Sequence, residues 1–217
     1  MLEQILRQLE PTHTRLVAIS KTKPPEQILE LYRRGHKIFG ENKVQELVTK
    51  YEALPKDIEW HLVGRLQTNK VKYVAPFIAC IHSVDSLKLL LEIDKRAVQN
   101  NRTIDCLLQF HICDEETKHG MTLEEAEALL QSTELPGLTN ARITGVMGLA
   151  TFTEDMEQVR REFKNLKGIF GHLQRRYFPN DPRFGEISMG MSGDYLVAVE
   201  EGSTMVRIGT LLFGERA

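Results

Sequence analysis

The sequence predicts a single-domain (β/α)8 barrel over residues 1–217, with an extra helix at its N-terminus. Three observations lead there. The run Leu16-Val17-Ala18-Ile19 is continuously apolar and leads into Ser20-Lys21-Thr22-Lys23-Pro24, as a strand of a parallel sheet does when both its faces are covered. Strand-like and helix-like stretches then alternate eight times with short connections. The chain has 217 residues, a length at which such a barrel forms one domain, and no linker or low-complexity segment breaks the pattern. A doubly wound open sheet is the competing topology.

Residues 1–10 set Glu3, Arg7 and Glu10 among leucines and read as an amphipathic helix. After the first strand, Pro24-Pro25-Glu26 opens a helix, with proline and an acid where a helix start favours them. Ile28, Leu29, Leu31 and Tyr32 form its apolar face, and Gly35 ends it. Residues 38–41 are a second strand, and a helix carrying Val44, Leu47, Val48, Tyr51 and Leu54 runs up to Pro55. The third strand is 58–64 with a helix over 67–74, and the fourth is 77–84 with a helix over 86–99. Strand five, 105–112, leads into a polar loop over 113–120 and a capping-box-like start at Thr122-Leu123-Glu124-Glu125. Strand six is 143–149, and a long helix covers about 155–177. Strand seven is 186–189, a short helix covers about 193–201, and strand eight is 205–213. Since no helix is expected after strand eight, the N-terminal helix is expected to take the place beside it.

The net charge of −2 makes no electrostatic case for nucleic-acid binding. Cys80, Cys106 and Cys113 are odd in number, sit in apolar runs and suit buried thiols in a reducing cytosol. His111 and Cys113 would supply only half of a zinc site, so strand-end packing is the better reading of that pair. Residues 1–10 lack a secretory core, and no apolar run approaches membrane-spanning length. A cytoplasmic protein without membrane partners is expected.

Lys21 follows a buried strand and stands where parallel α/β folds keep their chemistry, at the carboxyl end. A buried ammonium loses its proton or finds a partner, and a neutral amine there can form a Schiff base with an aldehyde. The plainer alternative is a lysine stem that snorkels to water. Lys23 shares the strand parity of Lys21 but adjoins Pro24 at a helix start and should be the more exposed. Phosphate is commonly bound in such barrels by the loops after strands seven and eight. Met189-Gly190-Met191-Ser192-Gly193-Asp194 supplies backbone access and the Ser192 hydroxyl at one, before a short helix whose free N–H groups favour an anion. Gly209 and Thr210 supply room and a donor at the other, although glycines there also serve turns and barrel bends. Strands one and eight are neighbours in a closed barrel. A lysine facing a phosphate site fits an aldehyde that carries phosphate, of which pyridoxal 5′-phosphate is the common example. Arg207, two residues before Gly209, points to the same side of its strand and suits the pyridine nitrogen. An arginine has no acceptor, so it would leave that nitrogen unprotonated.

The sequence resembles the pyridoxal phosphate homeostasis protein family, relatives of the alanine racemase barrel. The resemblance is carried by Ala18-Ile19-Ser20-Lys21-Thr22-Lys23, Phe39-Gly40-Glu41-Asn42 with Val44-Gln45-Glu46, Trp60-His61 with Gly64, Leu66-Gln67 with Asn69-Lys70, Ser188-Met189-Gly190-Met191-Ser192, and Ser203 to Thr210 with Phe213-Gly214. It spans nearly the whole chain. It implies pyridoxal 5′-phosphate as cofactor on Lys21, with ring or phosphate contacts from Asn42, Ser192, Arg207, Gly209 and Thr210. It also implies a carrier or regulator of vitamin B6 balance rather than an enzyme of known turnover, with pyridoxal-phosphate-dependent apo-enzymes as candidate partners. Lys43 stands where the family often has an aromatic, and Thr117-Lys118-His119-Gly120 replaces a more usual Lys-Ser-Gly or Lys-Phe-Gly.

His61 and His82, in strands, read as satisfied interior histidines, and Lys70 and Lys72 as a solvated helix face. The competing function is a cofactor-dependent amino-acid racemase. Racemization needs a second base opposite Lys21. In alanine racemases a tyrosine of a further C-terminal domain on the partner subunit supplies it. Here the sequence stops at Ala217, just past strand eight, and Tyr32, Tyr51, Tyr73, Tyr177 and Tyr195 fall mostly on predicted helices. Without that domain's dimer contacts, a monomer is expected. A third reading is a phosphate-binding barrel without pyridoxal phosphate.

Overall fold

A computed structural model describes residues 1–113 and 119–214. The chain opens with α1 (Leu2–Leu9), which buries Leu2, Ile5 and Leu9. It continues as β1 (Arg15–Ile19), α2 (Pro25–Arg33), β2 (Ile38–Glu41), α3 (Val44–Ala53), β3 (Glu59–Leu62), α4 (Val71–Val74), β4 (Cys80–Val84) and α5 (Leu87–Gln99). The second half is β5 (Ile104–Phe110), α6 (Leu123–Leu130), β6 (Ala141–Gly148), α7 (Met156–Tyr177), β7 (Glu186–Ser188), α8 (Tyr195–Glu200), β8 (Met205–Ile208) and α9 (Thr210–Phe213). All eight strands are parallel, each beside its chain neighbour, and β8 closes the barrel on β1 with Arg15 opposite Met205 and Val17 opposite Arg207. The open-sheet alternative is thereby excluded.

Strand alternation divides the apolar residues into an outer and an inner set. Leu16, Ala18, Phe39, Trp60, Leu62, Val206 and Ile208 face the helix layer and form the main core with Ile28, Leu47, Leu90 and Phe163. Each such fully buried side chain contributes about 1.5–3 kcal/mol. Inside the barrel lie two small clusters, Val17, Ile19 and Met205, and Cys80, Leu107 and Met147. The rest of the interior is polar. Helix starts behave as their sequences require: Ser86 caps α5, and Thr122 and Glu125 close a reciprocal capping box on α6.

Three expectations are corrected. Strand eight ends at Ile208, because Leu212 and Phe213 turn their N–H groups back to the Gly209 carbonyl and start α9. A one-turn helix therefore does follow the last strand. The N-terminal helix packs on β1, the neighbour of β8, and meets α8, where Tyr195 donates to Gln8 at 2.7 Å. The short helix after strand seven begins at Tyr195 rather than Gly193, with Asp194 as its cap. The polar loop after strand five lies largely outside the described residues. Among the described residues no helix is long and apolar enough to cross a membrane.

Candidate functional site at the carboxyl end of the barrel

Lys21 stands just past β1, whose Val17 and Ile19 line the barrel interior. The strand stops at Ile19 because Ser20 to Lys23 form a turn, closed by Lys23 N–H donating to the Ser20 carbonyl at 3.0 Å. Strand parity therefore does not reach Lys23, contrary to expectation. Both lysines are half-buried, so exposure does not separate them either. The turn places Thr22 at φ 63°, a left-handed conformation that a β-branched residue rarely adopts. It is held there by side chains from the next βα unit. Thr22 N–H donates to Glu46 Oε1 at 2.6 Å, and Ser20 Oγ donates to Glu41 Oε1 at 2.6 Å. Lys50, 4% exposed, donates to the Ser20 carbonyl, to Glu41 and to Glu46, all within 2.7 Å. Burial pushes the Glu41 carboxyl up, against the pull of the Lys50 ammonium and the Ser20 hydroxyl. Its Oε2 is buried with no hydrogen-bond partner. Both neighbours of Lys21 are thus anchored in a buried charge cluster.

The other predicted residues gather at the same end. Ser192, after β7, accepts a hydrogen bond from Gly209 N–H, after β8, at 3.3 Å, so the two expected donor clusters meet. A Cβ at Gly209 would stand 3.0 Å from the Ile19 carbonyl oxygen, which ties this position to the end of β1. Thr210 is exposed at the start of α9. The N–H groups of Ser192, Gly193 and Thr210 donate no hydrogen bond to the described residues. Asp194 accepts from Met191 N–H, so part of the expected anion-binding backbone is already used. Asn42 follows β2, half-buried, and its carbonyl oxygen lies where only a glycine fits at Gly64, after β3. Lys70 is half-buried and Lys72 exposed, next to the Tyr73 ring, as expected of a solvated face.

Below the mouth lies Arg207, 3% exposed, donating from Nη1 to Ser188 Oγ at 2.5 Å and from Nη2 to the Gly148 carbonyl at 2.9 Å. Burial lowers its pKa to about 10, which leaves it a cation at neutral pH. Sequence reasoning placed His61 and His82 in the interior but did not connect them to Arg207. His82 Nδ1 meets Ser188 Oγ at 2.9 Å, His82 Nε2 meets His61 Nδ1 at 2.8 Å, and His61 Nε2 meets Glu59 Oε1 at 3.0 Å. The signal was present: Glu59 and His61 share a parity on β3, as do Glu186 and Ser188 on β7. What it lacked was the register between strands. His61, Cys80 and His82 also bring ligand-type atoms within 4.8 Å of one another, but the facing nitrogens of the two histidines are taken up by their mutual hydrogen bond. A cavity of about 310 Å³ opens at the opposite, amino end of the strands, lined by Arg15, Glu59, Asp105, Arg142 and Glu186.

Comparison with known proteins decides the family. Residues 2–217 match the model of the alanine racemase N-terminal domain. A pyridoxal phosphate homeostasis protein of Aquifex aeolicus is 48% identical over 204 residues, 93% of this chain and 87% of that protein. The chain belongs to the pyridoxal phosphate homeostasis protein family. Another member, from Synechocystis, is 38% identical over 208 residues, covering 95% of this chain and 93% of the relative. Among solved structures, PipY of Synechococcus elongatus without pyridoxal phosphate superposes with a TM-score of 0.90 at 35% identity, covering 98% of both chains. PipY with pyridoxal phosphate bound gives 0.85 at the same identity and coverage. An alanine racemase from Bartonella henselae shares the fold, with a TM-score of 0.72 at 15% identity, over 99% of this chain and 61% of its own. The family assignment agrees with the resemblance read from the motifs.

Proposed function

We propose that this chain binds pyridoxal 5′-phosphate as a Schiff base on Lys21 and serves intracellular vitamin B6 balance without catalytic turnover. The observation that carries the reading is the pairing of β1 with β8. Val17 lies opposite Arg207, which brings Lys21, two βα units' worth of N–H donors and a buried cation to one end of one strand pair. These residues fit the cofactor's three distinctive groups. When bound, the cofactor supplies an electrophilic aldehyde and a dianionic phosphate on an aromatic ring. Lys21 is the amine for the aldehyde, and Ser192, Gly209 and Thr210 are the donors for the phosphate. Asn42 is placed for the ring hydroxyl, and Arg207 holds the pyridine nitrogen unprotonated. PipY, solved with pyridoxal phosphate bound and 35% identical, supports binding of this cofactor. On this reading the protein is a cytoplasmic, single-domain monomer, a carrier or regulator of the cofactor with pyridoxal-phosphate-dependent apo-enzymes as candidate partners. Borohydride reduction of loaded wild-type protein, then peptide mapping, tests the reading. Label on Lys21 is expected, and label on Lys23 or elsewhere overturns it.

The phosphate assignment carries its own expectation. Ser192→Ala and Thr210→Val should weaken pyridoxal 5′-phosphate binding while leaving pyridoxal nearly unchanged. Each removes a hydroxyl donor worth about 1.5–3 kcal/mol to a charged acceptor. Equal losses for the two ligands in a binding titration would show that these hydroxyls face something other than phosphate.

A racemase needs a base on the face opposite Lys21. All five tyrosines lie on helices of the outer layer. Three of their hydroxyls are engaged there: Tyr32 with Asp57, Tyr177 with Glu127 and Tyr195 with Gln8. We therefore expect L-alanine to keep its chirality and to exchange its α-proton slowly in deuterated solvent with loaded protein. Rapid exchange with inversion, lost in Lys21→Ala, would make the chain an enzyme.

A further inference from the structure

With His61 neutral, the hydrogen bonds behind Arg207 have one consistent direction. The Glu59 carboxylate accepts and cannot donate, and the His61 hydrogen bond holds it below the usual carboxylate range. His61 Nε2 must then carry the proton. A neutral His61 accepts at Nδ1, so His82 donates from Nε2. Burial above all holds the His82 pKa well below its ordinary value, so His82 keeps a single proton; with that proton on Nε2, its Nδ1 is an acceptor and the Ser188 hydroxyl donates to it. Ser188 Oγ is left to accept from Arg207, which can only donate. Every proton points from the guanidinium toward the carboxylate.

We propose that Ser188, His82, His61 and Glu59 are positioning residues for Arg207, a hydrogen-bonded chain crossing the barrel interior that fixes the guanidinium's orientation and balances its charge from the amino end. The chemistry favours this over a metal site, since both facing histidine nitrogens share one proton and the chain begins on a cation. It starts beside the cavity at the amino end of the strands, where Glu59 is half-exposed, and reaches Arg207 through four side chains of which three are almost fully buried. Aligned donors in a low-dielectric interior strengthen one another, so the chain holds Arg207 more firmly than the Ser188 contact alone. Arg207 then meets the cofactor ring as a donor already set in place.

The consequence for the ring rests on the function proposed above, and the test separates the two. Nitrogen-15 NMR of the cofactor-free wild-type protein at neutral pH should show His61 and His82 both neutral and protonated on Nε2. Either histidine protonated on Nδ1, or doubly protonated, overturns the chain whatever the protein binds. In protein loaded with ring-15N pyridoxal 5′-phosphate, Ser188→Ala should move the ring-nitrogen resonance and speed cofactor release about tenfold or more, as loss of a hydrogen bond to a charged group does. Ser188→Thr, which keeps the hydroxyl, should restore both. An unchanged resonance and release rate in Ser188→Ala overturns the positioning role. Failure of the wild-type protein to take up cofactor defeats the proposed function and the ring effect together, while the histidine tautomers still decide the chain.

Discussion

Lys50→Met is expected to cost about 3–5 kcal/mol of stability, the range for removing one partner of a buried ion pair. Lys50 is 4% exposed and Glu41 is fully buried, and Glu41 Oε2 has no partner even in the intact protein. Without the ammonium, an uncompensated carboxylate remains beneath the turn that bears Lys21, and the Ser20 carbonyl loses one of its two donors. Urea unfolding with an unchanged m-value is the measurement. Replacing Glu41 as well, in Lys50→Met/Glu41→Met, should recover much of the loss, because two apolar side chains of similar length carry no desolvation cost. A single-variant loss below about 1 kcal/mol would mean that the pair sees more water than its burial indicates. The cluster is expected to matter beyond stability. Ser20 and Thr22 are held by it, and Thr22 keeps its φ of 63° through the Glu46 hydrogen bond.

Lys21→Ala should abolish covalent attachment altogether while the barrel still folds. Lys21 lies outside the strand and outside every apolar cluster, so its truncation leaves no core cavity. The variant should unfold close to the cofactor-free wild type, and it should lose the stabilisation that loading confers. A ligand at a hundred times its dissociation constant raises stability by about 2.7 kcal/mol. Thermal unfolding with and without pyridoxal 5′-phosphate reads both effects. A variant stabilised as much as wild type, or still labelled after borohydride, would place the attachment elsewhere.

The strand order and the helix layer were legible because their signals are local. A continuous apolar run such as Leu16 to Ile19 needs two covered faces, and the alternation of such runs with amphipathic helices leaves few topologies. Thr122 with Glu125 marked the start of α6 for the same reason, since a capping box lies within four residues. The end of β8 was misread. Leu211-Leu212-Phe213 is too short an apolar run to distinguish strand from helix, and the distinction rests on the Gly209 carbonyl receiving two N–H groups. The helix start at Tyr195 was displaced because Met191 to Asp194 form a turn, with the Asp194 and Tyr195 N–H groups both donating to the Met191 carbonyl, contacts invisible to periodicity.

By itself, then, the sequence determined the alternation of eight strands and their helices, the end of the strands at which Lys21, Asn42, Ser192, Gly209 and Thr210 gather, and the side of β8 that carries Arg207. Each follows from spacing along one element. Closure of the sheet was decided by the pairing of β8 with β1. Only the tertiary structure decided what lies between elements: that Lys50 and Glu41 anchor the residues on either side of Lys21, that Lys23 leaves the strand parity at a turn, and that Glu59, His61, His82 and Ser188 align behind Arg207. Those contacts depend on the register of neighbouring strands and on how far a helix stands from the sheet. Both are settled by packing the whole core, not by any local preference of the residues that meet.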